Sequence, residues 1–305
     1  MRVSVIALLT VACSLVPVAA RAQGNGHGHA YGKRNQASSG SGVPTAPAPT
    51  QAPSSGGAFE TQPAGTGARN FGAWLDDASI MPEGASTMTF SFAYWKTPSY
   101  REFDVPVVDG AVGLTRRMQV GVSVPYYHAG ETGGPVARGV GDVYVSAKIQ
   151  LREPTAKKIG VAVTPLVEIL SFAPTPDSSR ASWAIPVNVE FQGKEWRAFA
   201  SSGYFSRGAV FASGALEIAL SDRTWLTCAI SQSHSLERDD LSTALGIAQT
   251  RADASGGLAF LLSRNISAFA SIGRTLSSKD PTSASVFLAG GISISVAAPV
   301  RTKKN

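Results

Sequence analysis

From about residue 85 to residue 297, apolar and polar positions alternate with a period of two. In Val143-Tyr144-Val145-Ser146-Ala147-Lys148-Ile149-Gln150-Leu151 every odd position is apolar and every even one is polar or tyrosine. The stretch Ser182 to Gln192 repeats the pattern, with Trp183, Ile185, Val187, Val189 and Phe191 set against Ser182, Asn188, Glu190 and Gln192. Alternation sustained over such lengths marks β-strands with two unlike faces. The rhythm and its turn residues predict twelve strands, near 85–96, 102–114, 117–127, 139–151, 159–170, 182–192, 196–205, 208–220, 224–234, 252–262, 266–275 and 284–297. Fourteen is the competing count. Leu241 to Gln249 is read as part of a long loop, because adding it as a strand gives an odd number.

The second face decides what kind of sheet this is. A soluble all-β domain turns its outer face to water and carries many charges there. Here that face is mostly Ser, Gly, Ala, Thr and Gln, and only 16% of the chain is charged while 44% is hydrophobic. A typical soluble domain is about 25% charged. The pattern suits a small polar face toward a lumen and a Val/Ile/Leu face toward lipid. In a bilayer an open edge leaves backbone groups unsatisfied, so the sheet must close. The expected fold is therefore an all-β, closed antiparallel transmembrane β-barrel of about twelve strands. Link lengths agree. Short charged turns at Arg116-Arg117, Gly193-Lys194, Asp222-Arg223 and 263–265, with a longer one at 152–158, fall on one side. Longer links at 128–138, 171–181, 235–251 and 276–283 fall on the other, along with two short ones near 97–98 and 206–207. Aromatics at strand ends suggest interfacial girdles: Tyr94, Trp95, Tyr126, Trp183 and Tyr204 at one end, Phe191, Trp196 and Trp225 at the other.

The start of the chain gives a destination. Arg2, the apolar run Val3 to Ala20 and the Ala20-Arg21-Ala22 pattern make residues 1–22 a secretory signal peptide. Pro17 argues against a membrane anchor, and Thr10 before Cys13 against a lipoprotein site. Residues 23–67, rich in Gly, Pro, Ser and Ala, read as a disordered linker. Residues 68–84 form a transition segment with Phe71, Trp74 and Leu75, expected to pack into the barrel mouth. The barrel is 85–297 and a basic tail 298–305. The expected location is the Gram-negative outer membrane with both termini periplasmic. Its expected partners are outer-membrane lipid, the barrel-assembly machinery and periplasmic chaperones. The net charge of +6 is spread over turns and tails, which excludes a nucleic-acid patch. Cys228 is the one cysteine past the signal, so no disulfide or cysteine metal site is expected. His27 and His29 lack a third ligand. Neither a cofactor nor a metal is implied.

Two segments carry a family resemblance. Val105-Pro106, then Gly113-Leu114-Thr115-Arg116-Arg117-Met118-Gln119-Val120 and Val124-Pro125-Tyr126, form one. Gly139-Val140-Gly141-Asp142-Val143-Tyr144-Val145-Ser146-Ala147-Lys148 is the other. They resemble the outer-membrane transporter-like β-barrel family named for the phenol meta-cleavage degradation pathway. The late stretch Ser255-Gly256-Gly257-Leu258 through Ser263-Arg264-Asn265 and Gly273 fits as well. Gln119 stands where that family tends to have an acidic residue, and the terminal aromatic common in such barrels is missing. The resemblance implies an uptake or pore role, with hydrophobic or aromatic compounds as the solutes.

Five charged residues fall on the inward parity of their strands: Lys148, Glu168, Glu190, Arg197 and Glu217. On the lipid face an Arg or Lys would cost about 2–4 kcal/mol at the midplane. These are the candidate ligand-binding residues of a passive pore or uptake channel. The alternative is a structural barrel whose charges pair across a plugged lumen without transport. A third class, an outer-membrane lipid hydrolase, would rest on His234, which shares the lipid-side parity of Leu226, Cys228 and Ile230. No Ser or carboxylate is placed as its partner, so the chain reads as non-enzymatic, without catalytic residues.

Overall fold

The computed structural model describes residues 68–70, 73–98, 100–131, 136–170, 181–206, 208–236, 248–277, 280–281 and 283–296. The signal, linker and basic tail of the sequence reading lie outside them. Twelve strands form one closed barrel: β1 (Ser86–Lys96), β2 (Tyr100–Thr115), β3 (Met118–Glu131), β4 (Val136–Val140 with Val143–Arg152), β5 (Gly160–Val163 with Leu166–Ile169), β6 (Ala181–Ala184 with Val187–Gln192), β7 (Trp196–Phe205), β8 (Ala209–Ser221), β9 (Thr224–Ser235), β10 (Thr250–Ser263), β11 (Ile266–Ser277) and β12 (Val286–Val296). Each pairs antiparallel with its neighbours in the chain. The ring closes where β12 pairs with β1, from Val286 opposite Lys96 to Val296 opposite Ser86.

Three strands are interrupted at Gly141-Asp142, Thr164-Pro165 and Ile185-Pro186. Proline has no N–H to give to the ladder. Its carbonyl still accepts, and pairing is carried across each break that way. The Ala147 N–H donates to Pro165, the Thr164 N–H to Pro186 and the Gly141 N–H to Pro125.

All twelve predicted strands are present. The link expected at 128–138 is much shorter, because β3 runs on to Glu131 and β4 begins at Val136. Those extensions pair through their backbones and need no apolar alternation, so the side-chain pattern did not reveal them. His128, expected in a loop, is accordingly a strand residue whose ring meets Tyr126 edge-on at 5.2 Å.

The faces follow the predicted parity. Val145, Ile149, Trp183, Val189, Ile230 and Ile292 are exposed on the outside, while Ser146, Gln150, Ser182, Asn188, Ser231 and Ser293 are buried inside. Ile230 lies midway along β9 on the lipid side. Substituting Ile230→Arg is expected to destabilise the barrel by about 2–4 kcal/mol. Urea unfolding from phospholipid vesicles measures this.

Two members of the expected girdles face the other way. Trp95 and Trp225 are buried in the interior. Trp95 shares the inward parity of Ser91 and Ala93, and Trp225 that of Ser231. Trp183, Phe191 and Tyr204 are exposed outward, as a girdle requires.

Candidate functional site

The interior of the barrel holds the chain segment that precedes β1. Residues Ala68–Asn70 and Ala73–Leu75 pair as a short hairpin, and residues 76–85 then run along the inner wall to β1. At the end of the barrel that carries the long links, Trp74 packs with Tyr144, Leu166, Phe205 and Phe211. At the short-turn end, Met81 packs with Ala85 and Ala111. An irregular segment cannot satisfy its own backbone groups, and buried ones must find partners. Here the wall's side chains serve. The Asp76 N–H donates to Ser201 Oγ at 2.8 Å, and that hydroxyl donates to the Asp76 carbonyl at 3.0 Å. The Ala78 N–H donates to Glu190 at 3.1 Å, and Gln150 Nε2 donates to the Ala78 carbonyl at 2.9 Å. The Met81 N–H donates to Gln119 Oε1 at 2.8 Å.

The charges gather at the middle of this contact. Lys148 Nζ lies 2.7 Å from Asp76 Oδ1 and 3.0 Å from Asp77 Oδ1. Arg197 Nη1 meets Asp77 Oδ2 at 2.9 Å. Its Nε and Nη2 grip Glu217 at 2.8 and 3.3 Å, and Glu190 lies 3.7 Å from Nη1. All six are nearly sealed from solvent. In such surroundings an ion pair is screened little, and each member left alone is costly.

Four of the five charged residues singled out in the sequence therefore converge: Lys148, Glu190, Arg197 and Glu217. Glu168 is buried apart from them, accepting from Tyr144 Oη at 2.8 Å and from Ser182 Oγ at 2.6 Å. Sequence reasoning missed Asp76 and Asp77, which face the wall cations from the segment. Their signal was two adjacent acids in a charge-poor region just before the first strand. Gln119, the departure from the resembled family's acidic pattern, proves to be an anchor for the segment's backbone. His234 sits on β9 with Nδ1 2.7 Å from Thr250 Oγ1, its cross-strand neighbour.

The segment turns into β1 over Gly113. Gly84, at φ 79°, donates its N–H to the Gly113 carbonyl at 2.8 Å, and the Gly113 N–H donates to Ala85. A Cβ at Gly113 would collide with the carbonyl oxygens of Met81 and Pro82. Gly113→Val is therefore expected to push this turn off the wall while leaving the ladder of β2 intact. The check is faster proteolysis between residues 76 and 85 in a barrel that still migrates as folded on an unheated gel.

The opposite wall is different in kind. Trp95 and Phe287 pack with ring centroids 6.1 Å apart and planes tilted by 43° near the long-link end. Ala93, Ala289, Phe269 and Ala259 continue the same buried cluster along the strands to Trp225 beside the short turn at 222–223. One side of the lumen is thus an ionic dock for the chain's own segment, and the other carries an apolar cluster of four aromatics and four alanines that reaches from near one end toward the other.

No protein-family model matches the sequence, and no curated protein does. Solved structures do match. An outer-membrane channel from Pseudomonas putida F1 superposes with a TM-score of 0.55 at 14% identity, over 72% of this chain and 98% of that one. The fold is an outer-membrane β-barrel. The NanC porin aligns at a TM-score of 0.48 with 9% identity, and the KdgM porin at 0.47 with 6%; each match covers 68% of this chain and 98% of the other.

Proposed function

We propose that this barrel is a passive outer-membrane channel for small apolar or aromatic solutes, held shut by its own residues 74–85. The observation that carries this reading is the aromatic side of the lumen. Trp95, Phe287, Phe269 and Trp225 belong to one apolar cluster that reaches from near one end of the lumen to the other, on the wall away from the docked segment. Apolar surface along a passage offers a solute a sequence of weak contacts, favourable enough to enter and weak enough to leave. The fold likeness to a channel supports the same reading. In this proposal the short-turn end and both termini face the periplasm, lipid covers the outer face, and the barrel-assembly machinery and periplasmic chaperones deliver the chain.

A second reading has an observation of its own. The ion pairs of Lys148 and Arg197 with Asp76 and Asp77 fit a plug that never leaves. Liposome swelling and planar-bilayer conductance separate the two, using the full exported chain and a form lacking residues 23–84. The channel reading expects low conductance from the first and high conductance from the second, with benzyl alcohol crossing faster than a sugar of similar size. If neither form passes current or solute, the barrel is structural.

A further inference from the structure

Besides the groups that hold the segment's backbone, the wall carries a set that recognises carboxylates, whatever chain bears them. Arg197 spends Nε and Nη2 on Glu217, its direct partner across β7 and β8, and turns Nη1 toward the lumen, where Asp77 meets it at 2.9 Å and the wall's Glu190 stands farther off at 3.7 Å. The ion pairs of Lys148 with Asp76 and Asp77 run to the segment. The Thr164 hydroxyl lies 3.5 Å from Asp76 Oδ2. Cations and hydroxyls converging on acceptor-only oxygens are what anion recognition requires. Beside them Arg197 lies over the Phe199 ring, 5.1 Å from its centroid, so an aromatic face adjoins the charged site.

We propose that Lys148 and Arg197, with Thr164, form a carboxylate-binding site on the lumen wall, occupied in the resting state by Asp76 and Asp77 in place of a solute. A small acid with an apolar or aromatic body competes for it and releases the segment. This rests on the channel reading and narrows its solutes to apolar acids. The carboxylate takes over the contacts of Asp76 and Asp77, and its body lies beside the Phe199 ring, one face of which Arg197 covers. A ligand that binds the released state better than the docked one shifts the equilibrium by its differential affinity, so occupancy and opening are coupled.

The test reads the segment rather than the flux. Leu75 is buried in the segment, and the probe is a Leu75→Cys substitution in the exported chain with its own Cys228 replaced by alanine. The folded barrel in detergent is treated with a water-soluble maleimide at constant ionic strength, with benzoate, benzyl alcohol or benzylamine added. Benzoate alone is expected to accelerate labelling, by about fivefold or more, and Lys148→Met is expected to abolish the response. Equal rates with all three probes, or a benzoate response that survives in Lys148→Met, would overturn the proposal. If Lys148→Met itself exposes the introduced thiol, the comparison of the three probes on the background chain decides. A chain that conducts but shows no benzoate response overturns this site alone. One that responds yet passes no solute overturns the channel and leaves the carboxylate site standing.

Discussion

Replacing Asp76 and Asp77 together by asparagine is expected to open the lumen for a large share of the time, where the proposed function expects the unaltered chain to be closed. The change keeps side-chain size and some hydrogen bonding but removes both negative charges. Lys148 then sits in a dry interior facing two neutral amides, and Arg197 keeps Glu217 while losing its partner on the segment. Leaving one member of a buried pair uncompensated costs about 3–5 kcal/mol. Here the segment can escape that cost by leaving, which lets water reach Lys148. At about 1.4 kcal/mol per factor of ten, the docked-to-released ratio falls by about a hundredfold or more. Single-channel recording should show longer and more frequent openings. The heat-dependent gel shift should be unchanged, because the barrel's ladder does not involve residues 76 and 77. A double variant as silent as the parent chain would show that packing of Trp74 and Met81 holds the segment, and the ionic dock does not.

The barrel was legible in the sequence because membrane strands record both faces in their side chains. Val145, Ile149 and Leu151 alternate with Ser146, Lys148 and Gln150, and the scarcity of charge across the second face is what points one side to hydrocarbon and the other to an enclosed space. The same logic placed Lys148, Glu190, Arg197 and Glu217 on the inner wall. What the pattern could not carry is which wall residues meet the segment before the strands. Residues 76–85 have no period, since an irregular chain inside a lumen is specified by where its backbone finds partners. Those partners, Ser201, Glu190, Gln150 and Gln119, come from four different strands. The aromatics were misread for a related reason. Position near a strand end suggested a girdle for Trp95 and Trp225, but parity, which sends both inward, outranks position. A tryptophan can lie near the interface on either side of the wall, and only the phase of its neighbours tells which.

The Arg197→Met variant is expected to be the most destabilised single substitution in the lumen. Arg197 is the shared cation of three carboxylates. It holds Glu217 with two nitrogens, Asp77 with a third, and Glu190 at 3.7 Å. Methionine preserves much of the volume and none of the charge, so Glu190 on β6 and Glu217 on β8 are left on either side of β7 with no Arg197 cation between them. A loss of about 3–5 kcal/mol is expected for breaking such a pair, read as a fall in the urea midpoint for unfolding from vesicles. Adding Glu217→Leu should restore most of it. The second change removes the carboxylate that stood directly opposite Arg197 in the β7–β8 register and replaces a buried pair by two packed apolar side chains, an exchange that is often neutral or favourable. The two effects must then fail to add, with a coupling of about 1 kcal/mol or more. If Arg197→Met unfolds like the parent, or the double variant is as weak as the sum of its parts, Arg197 and Glu217 are solvated in the lumen and hold neither the wall nor the segment.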